Sequence, residues 1–314
     1  MKQIKEINEL FLITVVTGIA GSYVAAFLGI NRASPFASVF FNQLVLALPT
    51  VLYVITSRIR IKDLFRFRKI KIGTIFLAIL FTFAITPLMQ VVNLVSMLFA
   101  KNEIAGKIDS ITEGRPFILS LFVIAVVPAF LEESVYRGGF FNVYSRKSPL
   151  KAIVLSGLLF GLMHLNFNQF SYAFVMGMIF CFLVEGTNSI YTTMLVHFVI
   201  NGTSVIMLYV EPFLQKWSAQ SGKSMPVTQN INDLSKGVIL AGILVYGMVA
   251  CFTTVIAVLL YIAMAKHENR WEHIKMMFRE SQKQQVNEQE SFVSMPLLIG
   301  IIICIGFMIA NELI

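Results

Sequence analysis

The feature that most constrains this chain is a succession of apolar runs, each near the 20 residues that a helix needs to cross the hydrocarbon of a bilayer. Short polar or charged connectors separate them. About nine such runs can be marked, near 10–30, 36–57, 72–100, 117–145, 149–165, 170–186, 188–210, 237–265 and 292–312. Lipid offers no partner to a free N–H or C=O, so spans of this length and apolarity are expected to be helical, and the sequence lacks the ten-residue alternation of a membrane barrel. The expected fold class is all-α, a polytopic membrane helix bundle of about eight or nine transmembrane helices, with residues 1–314 as a single integral membrane domain. Composition agrees: 57% hydrophobic residues, 13% charged ones and a mean hydropathy of +0.76 give more apolar surface than a soluble fold can hide.

Cytoplasmic connectors should be the basic ones. With the N-terminus (Lys2, Lys5) inside, seventeen Lys and Arg fall on inside connectors, seven on the opposite set, and Arg137 remains within a span. The expected location is therefore a plasma membrane, crossed many times, with a cytoplasmic N-terminus; the absence of eukaryotic targeting signals favours a bacterial one. The net charge of +8 follows mostly from topology, so a nucleic-acid partner is not expected. Glu6 and Glu9 interrupt the basic start and the first apolar run continues to Ile30, so that run is expected to remain as a span rather than to be a cleaved signal peptide. Cys181, Cys251 and Cys304 lie in separate apolar runs without a CxxC spacing and read as packing residues. Residues 266–291 carry charges of both signs and read as a cytoplasmic connector, a surface helix or helix plus linker, with His267 and His273 solvated.

The ionisable groups inside the apolar runs carry the functional information, because each costs several kcal/mol to bury. The run 117–145 holds Glu132, Glu133 and Arg137; the next holds Phe160 and His164; the run after Ser189 holds His197 and Asn201. Glu133 and Arg137, four residues apart, share a helix face and are expected to pair, a reading that by itself suits a structural ion pair. Glu132 lies about 100° round the helix, free of that partner. Phe160 can wall the imidazole of His164 in the same way, and His197 and Asn201 project from one face. At about 1.5 Å rise per residue, with the fourth run helical through Gly138-Gly139, Glu132, His164, His197 and Asn201 come to within a turn or so of one depth.

Two histidines, a free carboxylate and an amide at one level suit activation of water. Glu132 is the expected general base, helped by neutral His164, while His197 and Asn201 donate to a developing oxyanion or complete a metal site; either variant cleaves an acyl bond. Glu132, His164 and His197 have the right atoms for Zn²⁺ or another divalent ion, but no HExxH-like spacing fixes one.

Glu132-Glu133-x-x-x-Arg137, Phe160-x-x-x-His164 and His197-x-x-x-Asn201, in that order on successive helices, resemble the motifs of the CPBP family of CAAX proteases and bacteriocin-processing enzymes, also called the Abi family. The resemblance covers 117–210, the expected catalytic core. It implies an intramembrane endopeptidase, of a kind often described as a metalloprotease, acting on a membrane-associated peptide or protein. It also implies that Glu132 and His164 address the attacking water, that His197 and Asn201 serve the oxyanion, that Glu133 and Arg137 support, and that eight helices are the common number. Two other classes are compatible with such a chain. A proton- or ion-coupled transporter would show inverted repeats and broken helices, which the sequence does not offer. A catalytically silent immunity or scaffold protein would use the same bundle to bind a partner.

Overall fold

The computed structural model describes residues 2–57, 60–103, 111–220, 231–284 and 292–313. All regular structure among them is helical. The principal helices are α1 (Lys2–Phe27), α2 (Pro35–Ser57), α3 (Ile72–Met97), α4 (Phe117–Ser145), α5 (Pro149–Leu162), α6 (Phe167–Thr187), α7 (Ile190–Gln220), α8 (Lys236–His267), α9 (Trp271–Gln284) and α10 (Met295–Leu313). Eight of them, all but α5 and α9, are long and apolar enough to cross a membrane. This is an integral membrane helix bundle. Many of its large apolar side chains stay exposed along the helices, for example Phe76, Leu80, Phe252 and Ile302, where lipid rather than protein covers them.

The run expected at 149–165 is shorter than a span. Helix α5 has 14 residues, about 21 Å at 1.5 Å per residue, and ends before His164. It forms a hairpin with α6 through a close approach of small residues: Gly157 and Gly161 form a G-x-x-x-G, and a Cβ on Gly177 of α6 would lie 2.8 Å from the Cα of Gly157. Leu165, at φ 54°, makes the left-handed turn between the two helices, and Asn166 caps α6 by accepting from the Gln169 N–H at 2.9 Å.

Helix α4 lies at the centre, packed by α2, α5 and α7, and its residues from Val135 to Ser145 are buried throughout. It is continuous from Phe117 to Ser145, as the depth reading required, yet not uniformly α-helical. Phe122–Val126 and Ser134–Phe141 wind as π-helix and leave Val127–Glu133 as an α segment between them. Interruptions of this kind widen the helix and often mark functional sites. Gly138 lies in the second one because the ring of Phe65 occupies the space a Cβ would need, 2.1 Å away.

Contacts at the helix ends fix which connectors share a side. Arg66, just after the short helix Ile61–Phe65, donates to Asn142 at 2.5 Å and Ser145 at 2.9 Å on α4, and to Glu185 at 2.9 Å on α6. Glu185, 2% exposed, also meets Arg270 at 3.6 Å and His273 at 2.7 Å. Burial draws the Arg270 guanidinium below its usual pKa. Connector 60–71, the ends of α4 and α6 and the start of α9 therefore gather at one end of the bundle. His273 is held by Glu185, and Thr74 contacts the His267 ring at 2.9 Å, so neither histidine is merely solvated. The distal part of the expected connector, 285–291, lies outside the described residues. Of the cysteines, all free, Cys181 and Cys304 are buried as expected, whereas Cys251 is exposed on the outer face of α8.

At the other end Asn102 and Asn232 exchange hydrogen bonds of 2.8 and 3.0 Å, and Tyr209 donates to the Arg115 carbonyl at 2.7 Å. The α5–α6 turn belongs to this half: Asn168 donates to Asn93 at 3.0 Å near the end of α3, and Asn311 of α10 to the Leu165 carbonyl at 2.9 Å. The short α5 thus still carries the chain from one end toward the other and preserves the alternation of connectors.

Candidate active site

The α segment Val127–Glu133 presents its two carboxylates in different directions. Glu133 is fully buried and accepts from Arg137 Nη1 at 3.0 Å, the pair that the four-residue spacing predicts. It also meets His197 Nδ1 at 2.9 Å. Arg137, fully buried as well, has its guanidinium carbon 4.3 Å from the Phe160 ring centroid and 4.9 Å from that of Phe180. Cation–π attraction on both sides and the negative charge of Glu133 offset much of the cost of removing this cation from water.

Glu132 points away from that pair, with its side chain 12% exposed. Gln43 of α2 donates Nε2–H to its Oε1 at 2.7 Å, and its Oε2 lies 4.0 Å from His197 Nε2. The second distance is too long for a direct hydrogen bond. His197 thus stands between the glutamates, with Nδ1 on Glu133 and Nε2 toward Glu132. A carboxylate only accepts, so Nδ1 carries a proton.

His164 stands in the turn after α5, not inside the helix. Its Nδ1 lies 2.9 Å from the Phe160 carbonyl, which can only accept, so the proton is on Nδ1 and the lone pair of neutral His164 is on Nε2. The Phe160 ring meets it edge-on, with centroids 5.1 Å apart and planes at 89°. The same ring lies 6.5 Å from His197, and so links the two imidazoles and the Arg137 cation in one aromatic setting. Asn201, one turn after His197, donates from Nδ2 to the Ile124 carbonyl at 3.1 Å. That carbonyl lies in the first π segment, where the regular ladder of α4 is broken, so part of the Asn201 donor capacity goes to the scaffold.

Both imidazoles have the oriented Nδ1–H that metal-binding histidines usually show. Glu132, His164 and His197 nevertheless do not gather: among the described residues no three His, Cys, Asp or Glu side chains stand close enough to hold a metal ion. Gln43 was not singled out from the sequence, because it carries no charge and belongs to none of the three motifs. Its signal was a polar side chain in the middle of a span.

Residues 114–203 match a family described as type II CAAX prenyl endopeptidase Rce1-like. All three motifs fall inside the match, which agrees with the resemblance read from them, and α1, α2, α3, α8, α9 and α10 lie outside it. No curated protein and no solved structure matches the chain.

Proposed function

We propose, from the family match over residues 114–203 and the placement of Glu132 beside a neutral amide, that this protein is an intramembrane endopeptidase that hydrolyses peptide bonds of membrane-associated peptides or proteins. The observation that carries the reading is the different setting of the two adjacent glutamates: Glu133 is fully buried, with Oε1 held by Arg137 and His197, while Glu132 faces a neutral amide and its side chain is 12% exposed.

Glu132 takes a proton from water as the water oxygen bonds to the scissile carbonyl carbon, and the carbonyl π electrons move to oxygen. Neutral His164 assists Glu132 in this step, the role that the motif resemblance assigns to it. His197, with Nε2 protonated, and the second N–H of Asn201 stabilise the oxyanion. Collapse of the intermediate breaks the C–N bond, and the proton on Glu132 passes to the leaving amine, giving a carboxylic acid and an amine. No step passes through a metal. Zn²⁺ or another divalent ion would have to draw Glu132, His164 and His197 together, and metal analysis of the wild type beside the His164→Ala, His197→Ala double variant tests it: bound metal that is lost in the double variant would add an ion to the site.

The basic connectors that gather at one end of the bundle support a cytoplasmic N-terminus. The lipid bilayer is then a partner in its own right, since it delivers the substrate in two dimensions. Purified protein is expected to cleave a membrane-associated peptide, and Glu132→Ala or His164→Ala to lower the rate by at least about 10²-fold with the melting temperature unchanged. Wild-type rates in either variant would overturn the assignment.

A further inference from the structure

Gln43 lies on α2, 89 residues before Glu132 and outside the segment that matches the endopeptidase family. Its Nε2 is 2.7 Å from Glu132 Oε1, and the orientation of the amide follows from chemistry, because an ionised carboxylate accepts and only the NH₂ end of the amide can face it. The other end, Oε1, is buried and has no hydrogen-bond partner among the described residues. A buried carbonyl left unpaired forgoes the hydrogen bonds it would make in water, a loss that an apolar residue at this position would avoid. Within the candidate site it is a spare acceptor fixed beside the general base.

A water molecule has two protons, and a single base accepts only one of them. To aim an oxygen lone pair at a carbonyl carbon, both O–H bonds must be directed, so the nucleophile needs two acceptors at an angle to each other. Glu132 supplies one. We propose that Gln43 supplies the second and is a catalytic residue of this protein: its Nε2–H holds Glu132 Oε1, and its Oε1 accepts the O–H of the attacking water that is not transferred. The amide accepts a hydrogen bond and takes no proton, so the proton balance of the hydrolysis is unchanged. The inference rests on the proposed endopeptidase activity. It adds that the reaction centre needs a helix outside the three-motif core.

The test compares wild type, Gln43→Leu and Gln43→Glu on one peptide substrate, with Glu132→Ala as reference. Gln43→Leu is expected to lower kcat about 10²-fold with KM unchanged and the melting temperature retained, because the water and the carboxylate are both misplaced while the substrate still binds. Gln43→Glu keeps the shape of the side chain but can donate to Glu132 only in its acid form. Its kcat is expected to climb toward the wild-type value as the pH is lowered, a response that a merely structural role would not give. Wild-type kcat in Gln43→Leu would overturn the inference, as would a raised KM with kcat retained, which would assign the carbonyl to substrate binding. In both cases an inactive Glu132→Ala leaves the endopeptidase reading standing. Equal cleavage by wild type and Glu132→Ala would remove both.

Discussion

Fully buried, the Glu133 carboxylate joins Arg137 at 3.0 Å and His197 at 2.9 Å, with the guanidinium held between two aromatic rings. Removing one partner of such a pair leaves the other as an uncompensated buried charge, at a cost of about 3–5 kcal/mol. Glu133→Ala is therefore expected to destabilise the fold by that order, read from its denaturation midpoint in detergent, and an unchanged midpoint would contradict the ion-pair role. Glu132→Ala removes a carboxylate whose neighbours are a neutral amide and a distant imidazole, and is expected to cost under about 1 kcal/mol by the same assay. These different surroundings were legible in the sequence because a helix converts spacing into direction: 133 and 137 share a face, and 132 does not. What spacing could not give was the identity of neighbours on other helices. Gln43 reaches Glu132, and His197 reaches Glu133, only through the packing of α2 and α7 on α4.

Among the elements, α4 and the α5–α6 hairpin decide where the site residues stand. The apolar run of α4 predicts a continuous helix but not its π segments, since a π turn arises from local packing and leaves no periodicity of its own. One consequence is that the Ile124 carbonyl takes the Asn201 amide. The run at 149–165 ends as a 14-residue helix because Gly157, Gly161 and Gly177 bring α5 and α6 so close that a tight turn joins them, and His164 falls in that turn. Gly177→Ala would set a Cβ 2.8 Å from the Cα of Gly157, where a backbone atom cannot swing aside. A loss of about 1–3 kcal/mol in stability is expected, together with reduced cleavage as the turn carrying His164 shifts. Thermal melting and a cleavage assay check it, and an unaltered melting curve would contradict the packing account.

At the scale of the whole molecule, the apolar runs gave the membrane architecture directly, and the charge distribution anticipated which connectors would lie together. The Glu185 assembly was not legible, because its partners Arg66, Arg270 and His273 come from two connectors remote in sequence. Glu185→Ala would leave that positive group without its carboxylate and release the start of α9 from α6. Several-fold faster backbone hydrogen exchange is expected in 60–71 and 268–284, at about 1 kcal/mol per lost contact, with α3 and α8 unaffected; unchanged protection there would contradict the role of Glu185 as a clasp. The proposed function rests on the other half of the architecture, in which one scaffold neutralises Glu133 and sets its neighbour beside a neutral amide. The most direct test is a paired measurement of cleavage rate and melting temperature for Glu132→Gln and Glu133→Gln in the same detergent. The account predicts that Glu132→Gln is folded and inactive, whereas Glu133→Gln melts lower and keeps part of its activity, reduced both by the lost fold and by the loosened His197 ring. A Glu132→Gln protein that cleaves at the wild-type rate would contradict it.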